Sequence, residues 1–263
     1  MSKNNLEIRR PVKFSIVIPC FNERETLAAC VHRVLEIQDA HLSLEIILVD
    51  DCSTDGSYAI SQHLAKQHPE ITCLSHAANQ GKGAALRTGF KNTTGEFVAI
   101  QDADLELDPR DLKRLLVPLV EDQVDVVFGS RFYGKHIHKQ TTFDHFLANK
   151  VLTVLSNVCS GLRLTDMECC YKLFRQEIIR NINIHENRFG VEPELVAKVA
   201  RMQTRVTEMG ISYAKRTYAE GKKIGIRDGI RAVFCIIYYN APAINRRGMA
   251  FIQSLIGQVG KWF

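Results

Sequence analysis

Glu96-Phe97-Val98-Ala99-Ile100-Gln101-Asp102-Ala103-Asp104-Leu105-Glu106 decides how the chain is read. The first half is a short apolar run of the kind that forms a strand buried on both faces. The second half sets three carboxylates at alternate positions directly after it. In an extended backbone that alternation sends Asp102, Asp104 and Glu106 the same way. Converging carboxylates repel unless a cation sits among them, so the pattern predicts a hard divalent ion, Mg²⁺ or Mn²⁺, that would in turn hold a diphosphate. An EF-hand is excluded, because Gly is missing at the sixth loop position and Glu at the twelfth. A solvated acidic turn is the bland alternative.

Working outward, short β-branched runs alternate with helical patterns. Strands are predicted at Phe14–Ile18, Glu45–Val49, Ile71–Ser75, Glu96–Ile100 and Val124–Phe128. Helices are predicted at Glu25–Ile37, Ser57–Gln67, Gly83–Lys91 and Pro109–Glu121, with Asp55 and Asp108 as N-caps of the second and fourth. This is the pattern of parallel βαβ units. It predicts an α/β fold with an open, Rossmann-like, mostly parallel sheet flanked by helices, its ligand at the carboxyl ends of the strands. After Ser130 the alternation stops. Phe143–Ser160 and Glu192–Met202 read as helices, and Arg205–Tyr213 as a weak strand. The expected organisation is one catalytic body, residues 12–228, and a C-terminal amphipathic helical extension, residues 229–263.

The polar clusters fall where that sheet puts its ligand. Pro19-Cys20-Phe21-Asn22-Glu23 follows the first strand and Val49-Asp50-Asp51-Cys52-Ser53-Thr54-Asp55-Gly56 closes the second. Adjacent Asp50 and Asp51 diverge in an extended backbone, so at most one faces a given pocket, where it accepts from a base or ribose; a capping turn is the other reading. Asn79-Gln80-Gly81-Lys82-Gly83 puts small residues and a cation at a helix N-terminus, either a phosphate site or a plain glycine turn, and it lacks the Walker spacing. Gly129-Ser130-Arg131-Phe132 aims Arg131 at the same rim, suited to bidentate phosphate contact. Arg216 to Lys223 gathers cations around Glu220. His136 and His138 have no third ligand nearby in sequence, so the acidic triad is the better metal site.

The chain has 263 residues and a net charge of +5, too small a surplus to imply a nucleic-acid partner. Its distribution says more: from Ala214 onward nine basic residues face Glu220 and Asp228, giving +7 and leaving −2 for the rest. The eight cysteines show no C-x-x-C spacing and no leader precedes them, which predicts reduced thiols and a cytoplasmic location. The longest uncharged apolar run, Ala232–Ile244, falls short of the roughly 20 residues a spanning helix needs. From Ala250 to Phe263 the apolar residues recur at helical spacing and end in aromatics, with Arg246 and Arg247 just before. That face suits a membrane interface, the body's own core, or a second subunit in a homo-oligomer.

In order and spacing, P-C-F-N-E, V-D-D-C-S-T-D-G-S, N-Q-G-K-G-A-A-L-R-T-G, Q-D-A-D-L-E and G-S-R-F resemble the family 2 glycosyltransferases of the GT-A fold. With the late R-x-x-x-E-G-K element at Arg216–Lys222, the chain more narrowly resembles the polyprenyl-phosphate glycosyltransferases typified by dolichyl-phosphate mannose synthase, over about residues 12–228. The resemblance implies an inverting, metal-dependent transfer of a hexose from a nucleotide sugar, GDP-mannose or UDP-glucose, to a polyprenyl phosphate, peripherally at the cytoplasmic face of a membrane. It implies that Pro19, Phe21, Glu23, Val49 and Asp51 line the nucleotide pocket, with Asp102 and Ala103 beside base, ribose and diphosphate. Asp104 and Glu106 would hold the metal; Arg131, Arg216 and Lys222 would contact the diphosphate or acceptor phosphate; Asp102, Asp104 and Arg131 would form the catalytic set. Glu106 departs from the Gln that dolichol-type members often carry, Thr165–Phe174 departs from their S-G-F-R-like segment, and the C-terminal membrane-spanning pairs of some members are absent. Two rival readings are a transferase acting on a saccharide hydroxyl, with Asp102 or Glu168 as base, and a non-catalytic sugar-nucleotide-binding protein. In the first, Glu168 competes with a simple i+4 pairing to Lys172.

Overall fold

A computed structural model describes Ile8 and residues 10–133, 143–214 and 226–241. Its core is a seven-stranded sheet in the order β3-β2-β1-β4-β6-β5-β7. The strands are β1 (Val12–Cys20), β2 (Leu42–Asp50), β3 (Ile71–Ser75), β4 (Phe97–Ile100), β5 (Val126–Ser130), β6 (Lys172–Arg175) and β7 (Val206–Gly210). The helices are α1 (Leu27–Leu35), α2 (Ser57–Gln67), α3 (Lys82–Lys91), α4 (Pro109–Val120), α5 (Phe143–Ser160), α6 (Gln176–Arg180), α7 (Val191–Arg201) and α8 (Ile226–Asn240).

β1 pairs in parallel with β2 and β4, and β2 with β3, so their carboxyl ends share one rim. Phe14, Ile16, Ile18, Leu42, Ile46 and Leu48 are fully or almost fully buried, as expected of strands covered on both faces. The predicted strands differ from the observed ones only at their ends. Asp108 accepts from Arg110 N at 3.0 Å and caps α4, with Pro109 at the first helical position. The other predicted cap moves by one residue: Gly56, at φ 100°, occupies the cap position of α2, and Asp55 accepts from Ser57 N at 2.9 Å from one step upstream.

The larger correction lies after Ser130. The sequence reading ends the sheet pattern there, yet β6 runs antiparallel between β4 and β5, with Val98 opposite Phe174 and Val127 opposite Leu173. It escapes notice because it is four residues long and carries Lys172 and Arg175. α8 packs against α5 and α7, and Asp228 lies in its first turn. Residues 242–263, with the predicted terminal amphipathic segment, lie outside the described residues, as do His136, His138, Arg216 and Lys222.

Candidate active site

The rim is assembled by the loops that leave β1, β2, β4 and β5. The first two are bonded to each other: Asn22 N donates to Ser53 Oγ at 3.0 Å, Thr54 N to Asn22 Oδ1 at 2.8 Å, and Glu23 N to Ser57 Oγ at 2.9 Å. Asn22 and Cys52 accept positive φ to make these turns. Glu23 is buried and its carboxylate accepts from Thr26 Oγ1 at 2.8 Å. Pro19 sits opposite Val49 in the β1–β2 register, and Phe21 is half-buried just beyond.

Asp51 has a different job from the base or ribose contact expected of it. It is buried, Oδ1 lies 2.6 Å from His76 Nδ1 and accepts from Gln80 N at 2.9 Å, and Oδ2 accepts from Gly81 N at 2.6 Å. Its carboxylate therefore fixes the loop that delivers Lys82. That loop is also packed from outside. A Cβ on Gly83 would lie 2.1 Å from Glu186 O, and Ala84 N donates to Asn187 O at 3.1 Å. The N-terminus of α3 is thus covered by residues 186–188, which favours the structural over the phosphate reading of Asn79–Gly83.

Lys82 itself turns to the acidic turn. Its Nζ lies 2.8 Å from Asp102 Oδ1 and 3.0 Å from Glu192 Oε1 on α7, and the second Glu192 oxygen accepts from Lys172. Asp102, Lys82, Glu192 and Lys172 form a chain of alternating charge. Burial opposes the Lys82 charge, but Asp102 and Glu192 outweigh it and hold the ammonium pKa well above its usual value. Burial likewise disfavours the Asp102 carboxylate, and Lys82 with the Cys170 thiol still brings it below the usual carboxylate range.

The expected same-sided triad is not what the backbone builds. Residues 101–106 form a turn with Leu105 at φ 61°, and Glu106 N donates to Asp104 Oδ1 at 3.0 Å. Alternation therefore no longer puts the three carboxylates on one side, and Asp102 is committed to Lys82. Among the described residues no group of three or more His, Cys, Asp and Glu is placed to hold a metal. Asp104 and Glu106, both half-exposed, remain an all-oxygen pair on one turn. This fits an ion that takes its other ligands from water and a diphosphate, as Mg²⁺ commonly does. Ala103 between them is buried.

Arg131 is at the rim but its fork is engaged. Nε and Nη2 each donate to Asp166 at 2.7 Å, and the backbone N donates to the same carboxylate at 3.0 Å. Burial works against both charges, and their mutual attraction wins, moving the Arg131 pKa well above and the Asp166 pKa below their usual values. The guanidinium also lies 5.3 Å from the Tyr213 ring centroid. Burial and then Glu106 raise the Tyr213 phenol to about 12, so Tyr213 stands between Arg131 and the acidic turn. Next to it Ala214 N donates to Glu106 O at 2.8 Å.

Glu168 does not pair with Lys172, which bonds Glu192, Met167 O and Cys169 O instead. Glu168 Oε1 is buried with no hydrogen-bond partner, and burial followed by the Glu192 charge raises its carboxyl to about 7. Lys82, Asp166, Lys172 and Glu192 are the site members that sequence reasoning did not assign. Lys82 was flagged for phosphate; the other three carried no local signal.

A model of glycosyl transferase family 2 matches residues 15–182. A dolichyl-phosphate beta-glucosyltransferase of Trichomonas vaginalis is 28% identical over 236 residues, covering 84% of this chain and 70% of that relative. An undecaprenyl-phosphate 4-deoxy-4-formamido-L-arabinose transferase of Pseudomonas savastanoi pv. phaseolicola is 32% identical, covering 81% of this chain and 61% of that longer protein. Glucosyl-3-phosphoglycerate synthase from Mycobacterium tuberculosis, solved with UDP, superposes with a TM-score of 0.67 at 17% identity, over 88% of this chain and 80% of that one. The same enzyme, solved with Mn²⁺, UDP and glucosyl-3-phosphoglycerate, gives a TM-score of 0.65. The GT-A architecture is common to these structures and this chain.

Proposed function

The chain belongs to glycosyl transferase family 2, and from that premise we propose that it moves a hexose from a nucleotide sugar to a polyprenyl phosphate, inverting the anomeric carbon. One observation carries the reading: the 102–106 turn, Lys82 and Arg131 stand together at the carboxyl ends of parallel strands. The names of the polyprenyl-phosphate relatives support the acceptor class, and the UDP and Mn²⁺ held by the fold neighbour support the donor class and a divalent ion.

In this reading Pro19, Phe21, Glu23, Val49 and Asp51 shape the nucleotide side, with Asp102 and Ala103 beside the diphosphate. Asp104 and Glu106 hold Mg²⁺ or Mn²⁺, which when bound supplies charge neutralisation to the leaving diphosphate. An acceptor phosphate oxygen forms the new bond to the anomeric carbon. The bond to the donor diphosphate breaks, and its electron pair leaves on the nucleoside diphosphate. That oxygen is already anionic at neutral pH, so no strong base is needed. Rate then comes from placed charge. Asp166 takes two side-chain donors of the five on Arg131 and fixes the plane of the guanidinium, which presents its remaining donors to phosphate. Arg216 and Lys222 follow Ala214, which is bonded to the acidic turn, and add cationic charge for the acceptor. The eight free thiols support a reducing compartment and hence the cytoplasmic face.

A saccharide hydroxyl is the second acceptor reading, favoured by Glu168 alone: an unpaired carboxyl raised to about 7 is poised as a general base. The deciding experiment presents labelled GDP-mannose and UDP-glucose with either a short polyprenyl phosphate or a saccharide, and follows the label into the lipid phase. Label in the lipid phase is expected; label only in the saccharide overturns the acceptor, and none in either overturns the enzyme.

A further inference from the structure

α5 is polar inside and apolar outside. Asn149, Thr153 and Ser156 are buried. Asn149 Nδ2 donates to Asp166 Oδ1 at 2.9 Å, Thr153 Oγ1 to Asn149 Oδ1 at 2.9 Å, and Met167 N to Thr153 Oγ1 at 3.2 Å. The exposed positions are Leu147 (50%), Val151 (58%), Val154 (59%) and Val158 (78%), spaced so that they share one helix face. α4 shows the ordinary arrangement for contrast: its apolar residues are buried, and Arg110, Lys113 and Arg114 face water. α8 packs against α5 and adds exposed Ile230 and Tyr238.

No helix among the described residues is long and apolar enough to cross a membrane, so this surface lies on something rather than through it. Its charge says what. Lys150 on α5, Arg163 just past its end and Arg227 at the start of α8 are at least partly exposed, against Asp228 as the acidic residue described on α8. In sequence, Lys215, Arg216, Lys222 and Lys223 precede α8 and Arg246 and Arg247 follow it, against Glu220. An aliphatic face ringed by cations complements an anionic lipid surface. We propose that α5 and α8 form the face on which this protein docks to an anionic bilayer. The choice of bilayer rests in part on the lipid-phosphate reading above. The docking keeps the Arg131–Asp166 pair, bonded to the inner side of α5, one helix away from the lipid.

The test is co-sedimentation of the full chain with phosphatidylcholine vesicles, with and without phosphatidylglycerol. Binding to the anionic vesicles is expected. Val151→Glu/Val154→Glu should weaken it about tenfold or more, while Val151→Leu/Val154→Leu should bind at least as well as the parent. Both positions are exposed, and a melting curve checks folding. A wild type that stays in the supernatant overturns the proposal, as does binding that the Glu pair leaves unchanged. A self-association that the Glu pair abolishes, without vesicle binding, assigns the face to a second copy and overturns it equally. Transfer to a short, detergent-dispersed acceptor separates the two failures: it persists in the Glu pair if only docking is lost, and is missing from the wild type if the acceptor reading is wrong.

Discussion

The two sides of the sheet are held together by different forces. Across β1, β2 and β4 the interior is made of Phe14, Ile16, Ile18, Leu42, Ile46 and Phe97. Across β5, β6 and α7 it includes buried Asp166, Lys172, Glu192 and Glu194, each with charged or hydrogen-bonded partners. An aliphatic interior loses a little for each missing methyl. A charged one holds only while every partner stays, because a buried ion left alone is far costlier than the pair was favourable. The charged side is also where the proposed chemistry sits.

The largest effect should come from the rim, where charge acts on substrate. Asp104→Asn is expected to lower transfer by at least about 10²–10³-fold, with an unchanged melting temperature and weaker divalent-dependent nucleotide binding in calorimetry. Full activity in this variant refutes the metal assignment. Asp166→Ala then breaks the charged interior directly. Leaving Arg131 unpaired should cost about 3–5 kcal/mol in urea unfolding, and a loss below about 1 kcal/mol would show the two interiors to be alike.

Glu168 sharpens the comparison through pH. Its carboxyl, raised from 4.5 to about 7, keeps in the folded state a proton that the unfolded chain has already released. Stability should therefore fall as pH rises from about 4.5 to about 7, by about 2 kcal/mol once partial exposure is allowed for. Glu168→Gln should flatten that slope in a series of thermal melts, and an unchanged slope places the titration elsewhere. The smallest effect belongs to the aliphatic side: Ile16→Val should cost about 0.5–1.5 kcal/mol by the same urea assay, with transfer unaffected.

What the sequence revealed follows the same division. β3, α2 and α5 have the bounds that periodicity predicts, and the Asp108 cap is local chemistry. Local pattern does not say which partner a charge will find. Arg131 meets Asp166 35 residues later, and Lys82 meets Glu192 on another helix. The alternation at Asp102, Asp104 and Glu106 was read as extended backbone, and the left-handed Leu105 undoes it. Helical spacing located α5, but spacing has no sense of inside and outside, so its inversion emerged only from burial.

β6 has a consequence for how the chain is made. Both neighbours of that strand, β4 and β5, are finished by Ser130, yet the segment that joins them begins at Lys172. Until it emerges, two strand edges face a gap, and unpaired edges of apolar strands are templates for intermolecular pairing. A nascent chain halted between these points should aggregate, and one released past Arg175 should not. The last insertion into the sheet, rather than its first turn, then sets the pace of folding.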